Sequence, residues 1–203
     1  MKIGIMGGTF NPIHNGHLII AEQAKEEFQL DLVLFIPAGV PPHKQNEAIL
    51  DGKHRCSMIE VAIKSNPKFR LDTREIESDA VSYTYLTLKA LKQQYNEAEL
   101  YFIMGEDSIY AISSWKCPQE IFSMTTVLVA VRNHLCETQP IEEQIQLIKQ
   151  QYNGTIAIIH SPVVLISSSL IRDRIAFGYS IRYLVPDSVV GYIADYELYQ
   201  MER

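Results

Sequence analysis

Cysteine is scarce: Cys56, Cys117 and Cys136 are the only three in 203 residues. Their number is odd and no two stand close together, so neither a zinc knuckle nor a redox pair is encoded, and a reducing compartment is the natural expectation. Long hydrophobic runs are also missing. The apolar stretch at Ile3–Met6 is too short for a signal peptide and no other segment reaches membrane-spanning length, which points to a cytoplasmic protein with no membrane association. Basic charge is in deficit, with 18 Lys plus Arg against 24 Asp plus Glu and a formal net charge of -6. That balance disfavours broad binding to nucleic acid but leaves room for a small anion held by local donors.

Two phosphate signatures are absent as well. Gly52-Lys53 runs into His54 without the glycine spacing of a Walker loop, and Gly4, Gly7 and Gly8 do not give the G-x-G-x-x-G of a dinucleotide fold, so a dehydrogenase is disfavoured. No cluster of aspartates and glutamates suggests a metal cage built by the protein. Neither an internal repeat nor a low-complexity segment is present.

What is there reads as an ordinary globular chain, 47% hydrophobic and 21% charged, of a length that fits one domain over residues 1–203 with a small helical part from about 167 onward. Continuous apolar runs at Ile3–Met6, Asp31–Ile36, Leu100–Met104, Thr126–Val131 and Thr155–Ile159 predict strands covered on both faces. Phe69–Ile76 is expected to be extended. Helices are predicted over Gly16–Phe28, Lys53–Lys64, Thr84–Tyr95, Ile141–Gln151, Ser168–Phe177 and Ser188–Tyr199. This alternation predicts an α/β, doubly wound, mainly parallel sheet with helices on both faces and ligands at the carboxyl ends of its strands. The long loop Ala38–Gly52, with Pro41-Pro42-His43-Lys44, is a candidate functional segment.

The first strand runs into Gly7-Gly8-Thr9-Phe10-Asn11-Pro12-Ile13-His14-Asn15-Gly16-His17. Adjacent glycines at a strand end permit unusual backbone angles and let main-chain N–H groups approach a phosphate. His14 and His17 stand three apart at a helix start, so their imidazoles share one face of its first turn, with Gly16 leaving space beside them. The helix amino end adds N–H donors and positive potential, both favourable to phosphate oxygens.

This segment resembles the signature of the H-x-G-H nucleotidyltransferase superfamily, and within it most resembles the bacterial nicotinate mononucleotide adenylyltransferases. Pro41-Pro42-His43-Lys44, Ser82-Tyr83-Thr84, Gly105-Glu106-Asp107, Trp115 and Ile166-Ser167-Ser168-Ser169-Leu170-Ile171-Arg172 extend the resemblance across most of the chain. The last motif departs from the family's usual threonine at Ser169 but keeps the hydroxyl. The resemblance implies a Rossmann-like fold and transfer of the adenylyl group of ATP to nicotinate mononucleotide with release of pyrophosphate. On that reading His14 and His17 donate hydrogen bonds to ATP phosphates, and the Gly7-Gly8-Thr9-Phe10 backbone positions the α-phosphate. Ser167, Ser168 and Ser169 grip the β- and γ-phosphates, Arg172 stabilises the leaving group, and Lys44 contacts the acceptor's phosphate. Magnesium arrives on ATP, held by phosphate oxygens and water. The charge state of the two histidines is left open, because phosphate favours the imidazolium and a helix amino end disfavours it.

For the acceptor, Thr84 is a candidate cap of the helix after Ser82-Tyr83, whose first N–H groups suit a carboxylate and meet the N–H donors of an amide poorly. Trp115 is a candidate stacking partner for a pyridine ring. Gly105 and Asp107, beyond the strand at Leu100–Met104, lie where an open sheet places ligand contacts, and the resemblance gives Asp107 the ribose or a bridging water. A sister enzyme taking nicotinamide mononucleotide or phosphopantetheine shares the ATP site. A non-catalytic nucleotide-binding regulator is a reading of another class, against which the intact His14, His17 and Arg172 argue. Oligomeric state, including a homo-oligomer, is left open.

Overall fold

The computed structural model describes residues 1–39, 49–78, 80–131, 141–162 and 164–200. Lys44 and Cys136, and with them most of the loop singled out above, lie outside the described residues. Strands β1 (Lys2–Gly8), β2 (Leu32–Pro37), β3 (Phe69–Leu71), β4 (Glu99–Gly105), β5 (Thr125–Ala130) and β6 (Ile156–Ile159) form one sheet in the order β3-β2-β1-β4-β5-β6. Every pairing is parallel. Helices α1 (Asn15–Glu27), α2 (Gly52–Ile63), α3 (Thr84–Gln94), α4 (Glu106–Ala111), α5 (Pro118–Met124), α6 (Ile141–Tyr152), α7 (Ser168–Ala176) and α8 (Asp187–Asp195) connect and flank it. Among the described residues no helix is long and apolar enough to cross a membrane.

The continuous apolar runs have the cause expected of them. Side chains alternate across the pleat, so Ile3, Ile5, Leu32, Leu34 and Phe102 join one core with residues of α3, α4, α5 and α6. Met6, Val33, Phe35, Ile103 and Leu128 join a second core with α1, α2, α7 and α8. In β2 all six residues are buried. Each fully buried Leu, Ile or Phe contributes roughly 1.5–3 kcal/mol, which is why both faces carry apolar residues.

Strand order reverses between β1 and β4, whose residues Lys2–Met6 pair with Glu99–Ile103. In a doubly wound sheet the connections leave that point in opposite directions, opening a crevice at the carboxyl ends. Here the ends are Gly7-Gly8 of β1 and Gly105 of β4.

Three segments differ from expectation. The extended stretch from Phe69 stops at Leu71, because Ile76 and Glu77 donate to Thr73 O in a turn. The region between Gly105 and Thr125 contains α4, a single 3-10 turn (Ile112–Ser114) and α5. These pieces are too short for periodicity to stand out, although Pro118 at the start of α5 and Glu120 in its first turn are helix-start signals. Finally α8 ends at Asp195, and Glu197 and Tyr199 take left-handed backbone (φ 51° and 62°) as the chain turns back toward the first loop.

Candidate active site

The loop after β1 is held from several sides. Gly7 and Gly8 remain in the strand, and the left-handed residue is Phe10 (φ 49°), so the backbone freedom expected of the glycines is not used there. What Gly8 supplies is space: a Cβ on it would stand 3.2 Å from the Phe10 ring. Left-handed backbone costs a non-glycine residue roughly 1–2 kcal/mol. Burial of the Phe10 ring offsets it: the ring is 2% exposed, edge-on to His17 at 4.9 Å and 6.0 Å from Phe35.

His14 is the N-cap of α1 and His17 its third residue, and the two form a reciprocal capping box. The His17 N–H donates to His14 Nδ1 (3.3 Å) and the His14 N–H donates to His17 Nδ1 (3.2 Å). The rings stack with centroids 3.6 Å apart and planes 19° apart. Gly16 permits this, since a Cβ there would lie 3.1 Å from His14 Nδ1. Both Nδ1 atoms lie where a main-chain N–H donates to them, an arrangement that favours the proton on Nε2 of each ring.

The geometry corrects the picture of the helix end. Asn15 N–H donates to Leu184 O at 2.9 Å and His17 N–H is taken up at His14, so main-chain donors of α1 are largely engaged.

The segment that opens α7 lies against this loop. Ser167 is the N-cap of α7 and accepts from Leu170 N–H at 3.2 Å, with its Oγ 3.0 Å from that of Ser169. Ser168 Oγ donates to Pro12 O (2.8 Å) and Arg172 Nη1 donates to Asn11 O (2.9 Å). Asn11, 5% exposed, also accepts from Tyr199 Oη at 2.8 Å. Burial pushes the Tyr199 phenol well above its ordinary range, keeping it a neutral donor.

A cavity of about 500 Å³ opens from Gly7, Gly8 and Thr9 to Ser82, Tyr83 and Thr84, with Trp115 also on its wall. Thr84 is the first helical residue of α3 and Tyr83 the N-cap, without a side-chain capping bond. The expected threonine cap is thus absent, and the amino end of α3 lines the cavity without a side-chain cap. Trp115 is partly buried, edge-on to Phe102 with centroids 6.2 Å apart. Gly105 is the N-cap of α4 and Asp107 lies in its first turn, at the end of β4.

Two residues were missed. Glu75 lines the cavity, accepts from Thr87 Oγ1 at 2.5 Å, and has its carboxyl pushed up by burial, opposed by hydrogen bonds from Thr87 and Ser82. Arg55, 2% exposed, reaches Thr9 O. In the sequence Glu75 sits among other charges and Arg55 among polar helix residues, so neither carries a signal of burial.

Residues 5–174 match the cytidylyltransferase-like family. The chain is 42% identical to a probable nicotinate-nucleotide adenylyltransferase of Thermoanaerobacter sp. (strain X514), covering 100% of this chain and 96% of that protein. It is 40% identical to one of Thermomicrobium roseum, covering 98% and 92%. In fold it is similar to Plasmodium falciparum nicotinic acid mononucleotide adenylyltransferase complexed with NaAD, with a TM-score of 0.78, 21% identity, and coverage of 98% and 97%.

Proposed function

Since the chain belongs to the cytidylyltransferase-like family, and within it to the nicotinate-nucleotide adenylyltransferases, we propose that it transfers the adenylyl group of ATP to nicotinate mononucleotide, yielding nicotinate adenine dinucleotide and pyrophosphate. The carrying observation is the cavity that joins the end of β1 to the uncapped start of α3. It supports the reading that the Gly7-Gly8-Thr9 loop and the helix start at Thr84 serve one pair of bound substrates.

In the reaction a phosphate oxygen of the acceptor attacks the α-phosphorus, an O–P bond forms, and the bond to the β-phosphate oxygen breaks. That nucleophile is already ionised near neutral pH, its second pKa being about 6, so no general base is needed. The protein's task is to hold two anions in line and to stabilise charge on the transferring group and on the departing pyrophosphate. His14 and His17 do so through Nε2–H, and the loop Gly7-Gly8-Thr9-Phe10 through its main chain. Ser167, Ser168, Ser169 and Arg172 act on the outer phosphates. Magnesium would arrive on ATP, held by phosphate oxygens and water, where it shields phosphate charge. Residues 1–203 act as one nucleotidyltransferase unit in the cytoplasm, the compartment suited to free thiols such as Cys56 and Cys117.

Acceptor choice follows from the α3 end. The nicotinate carboxylate only accepts, and the N–H groups there only donate; an amide turns donors toward donors. Purified protein with ATP and magnesium is expected to release pyrophosphate with nicotinate mononucleotide at least about tenfold more efficiently than with the amide, for a difference of one or more hydrogen bonds. Equal kcat/KM for acid and amide would remove this account of the carboxylate site.

A further inference from the structure

We propose that Arg55 is a positioning residue for adenylyl transfer, fixing the Thr9–Phe10 peptide from α2 so that the Phe10 N–H is turned to the ATP phosphates. The inference rests on the reading of the site just given and adds to it a residue remote from the motif in sequence.

Arg55 is 2% exposed, and its guanidinium makes two hydrogen bonds to main-chain carbonyls. Nε donates to Leu50 O at 2.9 Å and Nη1 to Thr9 O at 2.8 Å. A trans peptide is planar, with its C=O and N–H on opposite sides. Holding Thr9 O toward α2 therefore turns the next N–H, that of Phe10, away from α2. The orientation would not keep itself, because Phe10 is left-handed at φ 49°, and such a residue persists only where its surroundings over-determine it. The buried ring fixes one side of Phe10, and Arg55 fixes the peptide on the other.

Electrostatics points the same way. An anion site made of main chain must keep its carbonyl oxygens from facing phosphate. Three carbonyls of this loop are each covered by a donor: Thr9 O by Arg55, Asn11 O by Arg172 and Pro12 O by Ser168. Ser168 and Arg172 belong to α7, whereas Arg55 reaches the loop from α2. Lysine cannot replace it fully, because one ammonium lacks the planar fork that reaches both carbonyls.

Arg55→Lys and Arg55→Gln test the proposal, with the parent enzyme's pyrophosphate release as control. In Arg55→Gln kcat/KM for ATP is expected to fall at least about tenfold, with KM for nicotinate mononucleotide within about twofold of the parent; Arg55→Lys should recover part of the loss. Alongside, the Phe10 amide resonance should shift on binding α,β-methylene ATP in the parent, and the shift should shrink in Arg55→Lys. If the parent is active and both variants keep parental ATP parameters, or lose both substrates equally, the proposal is overturned while the assigned function stands. An inactive parent instead overturns the function. Should Arg55→Gln not fold, Arg55→Lys decides alone, and failure of both to fold assigns Arg55 to the fold and overturns the proposal.

Discussion

Replacing His17 by alanine is expected to lower kcat by about two to three orders of magnitude, the usual effect of removing one donor aimed at developing phosphate charge. The fold should be affected much less. His17 contributes one arm of the α1 capping box, accepting from His14 N–H at 3.2 Å, and a lost cap costs about 1 kcal/mol, or roughly 2–4 °C in Tm for a chain of this size. Asparagine at the same position can still accept from the His14 N–H but cannot present Nε2–H where the imidazole does. His17→Asn should therefore recover Tm without recovering kcat. Turnover and melting, measured together on both variants, check this. If activity and Tm fall and recover in step, His17 belongs to the fold and not to the chemistry.

Arg172→Ala is the second substitution with a large expected effect. Its Nη1 is committed to Asn11 O at 2.9 Å, and in the proposed reaction the rest of the planar fork serves the outer phosphates beside Ser167 and Ser169. On the proposed reading this side chain joins the two phosphate-binding segments and carries charge toward the leaving group. Its loss should cost about two to three orders of magnitude in kcat/KM for ATP. Arg172→Lys should recover only a minor part, since an ammonium supplies a point charge without the fork. Steady-state kinetics with ATP varied at saturating acceptor provide the comparison; a fully active lysine variant would mean that charge alone suffices and that the bond to Asn11 is incidental.

Much of this was legible in the sequence because it rests on local rules. The runs at Ile3–Met6 and Leu100–Met104 could be read as buried strands since both sheet faces are covered, and the pairing of β1 with β4 then brought Gly7-Gly8 and Gly105 to one crevice. His14 and His17 were legible because a helix turn fixes what lies three residues apart. Their tautomer was not, because it depends on which main-chain N–H meets which Nδ1, and that requires coordinates. Thr84 was misplaced by a single position, from cap to first helical residue, the scale on which helix boundaries are poorly specified by sequence. Arg55 and Tyr199 reach the loop from 46 residues away at Thr9 and 188 residues away at Asn11. No spacing rule connects such pairs, so the support behind the phosphate loop became visible only in the fold.

The central claim is that the turn after β1 and the stacked histidines of α1 hold the triphosphate. A crystal structure with a non-hydrolysable ATP analogue tests it most directly. Phosphate oxygens are expected within hydrogen-bond distance of Nε2 of His14 and His17, with the outer phosphates reaching Arg172 and the start of α7. Phosphates bound elsewhere on the molecule, with both Nε2 atoms left to solvent, would contradict it.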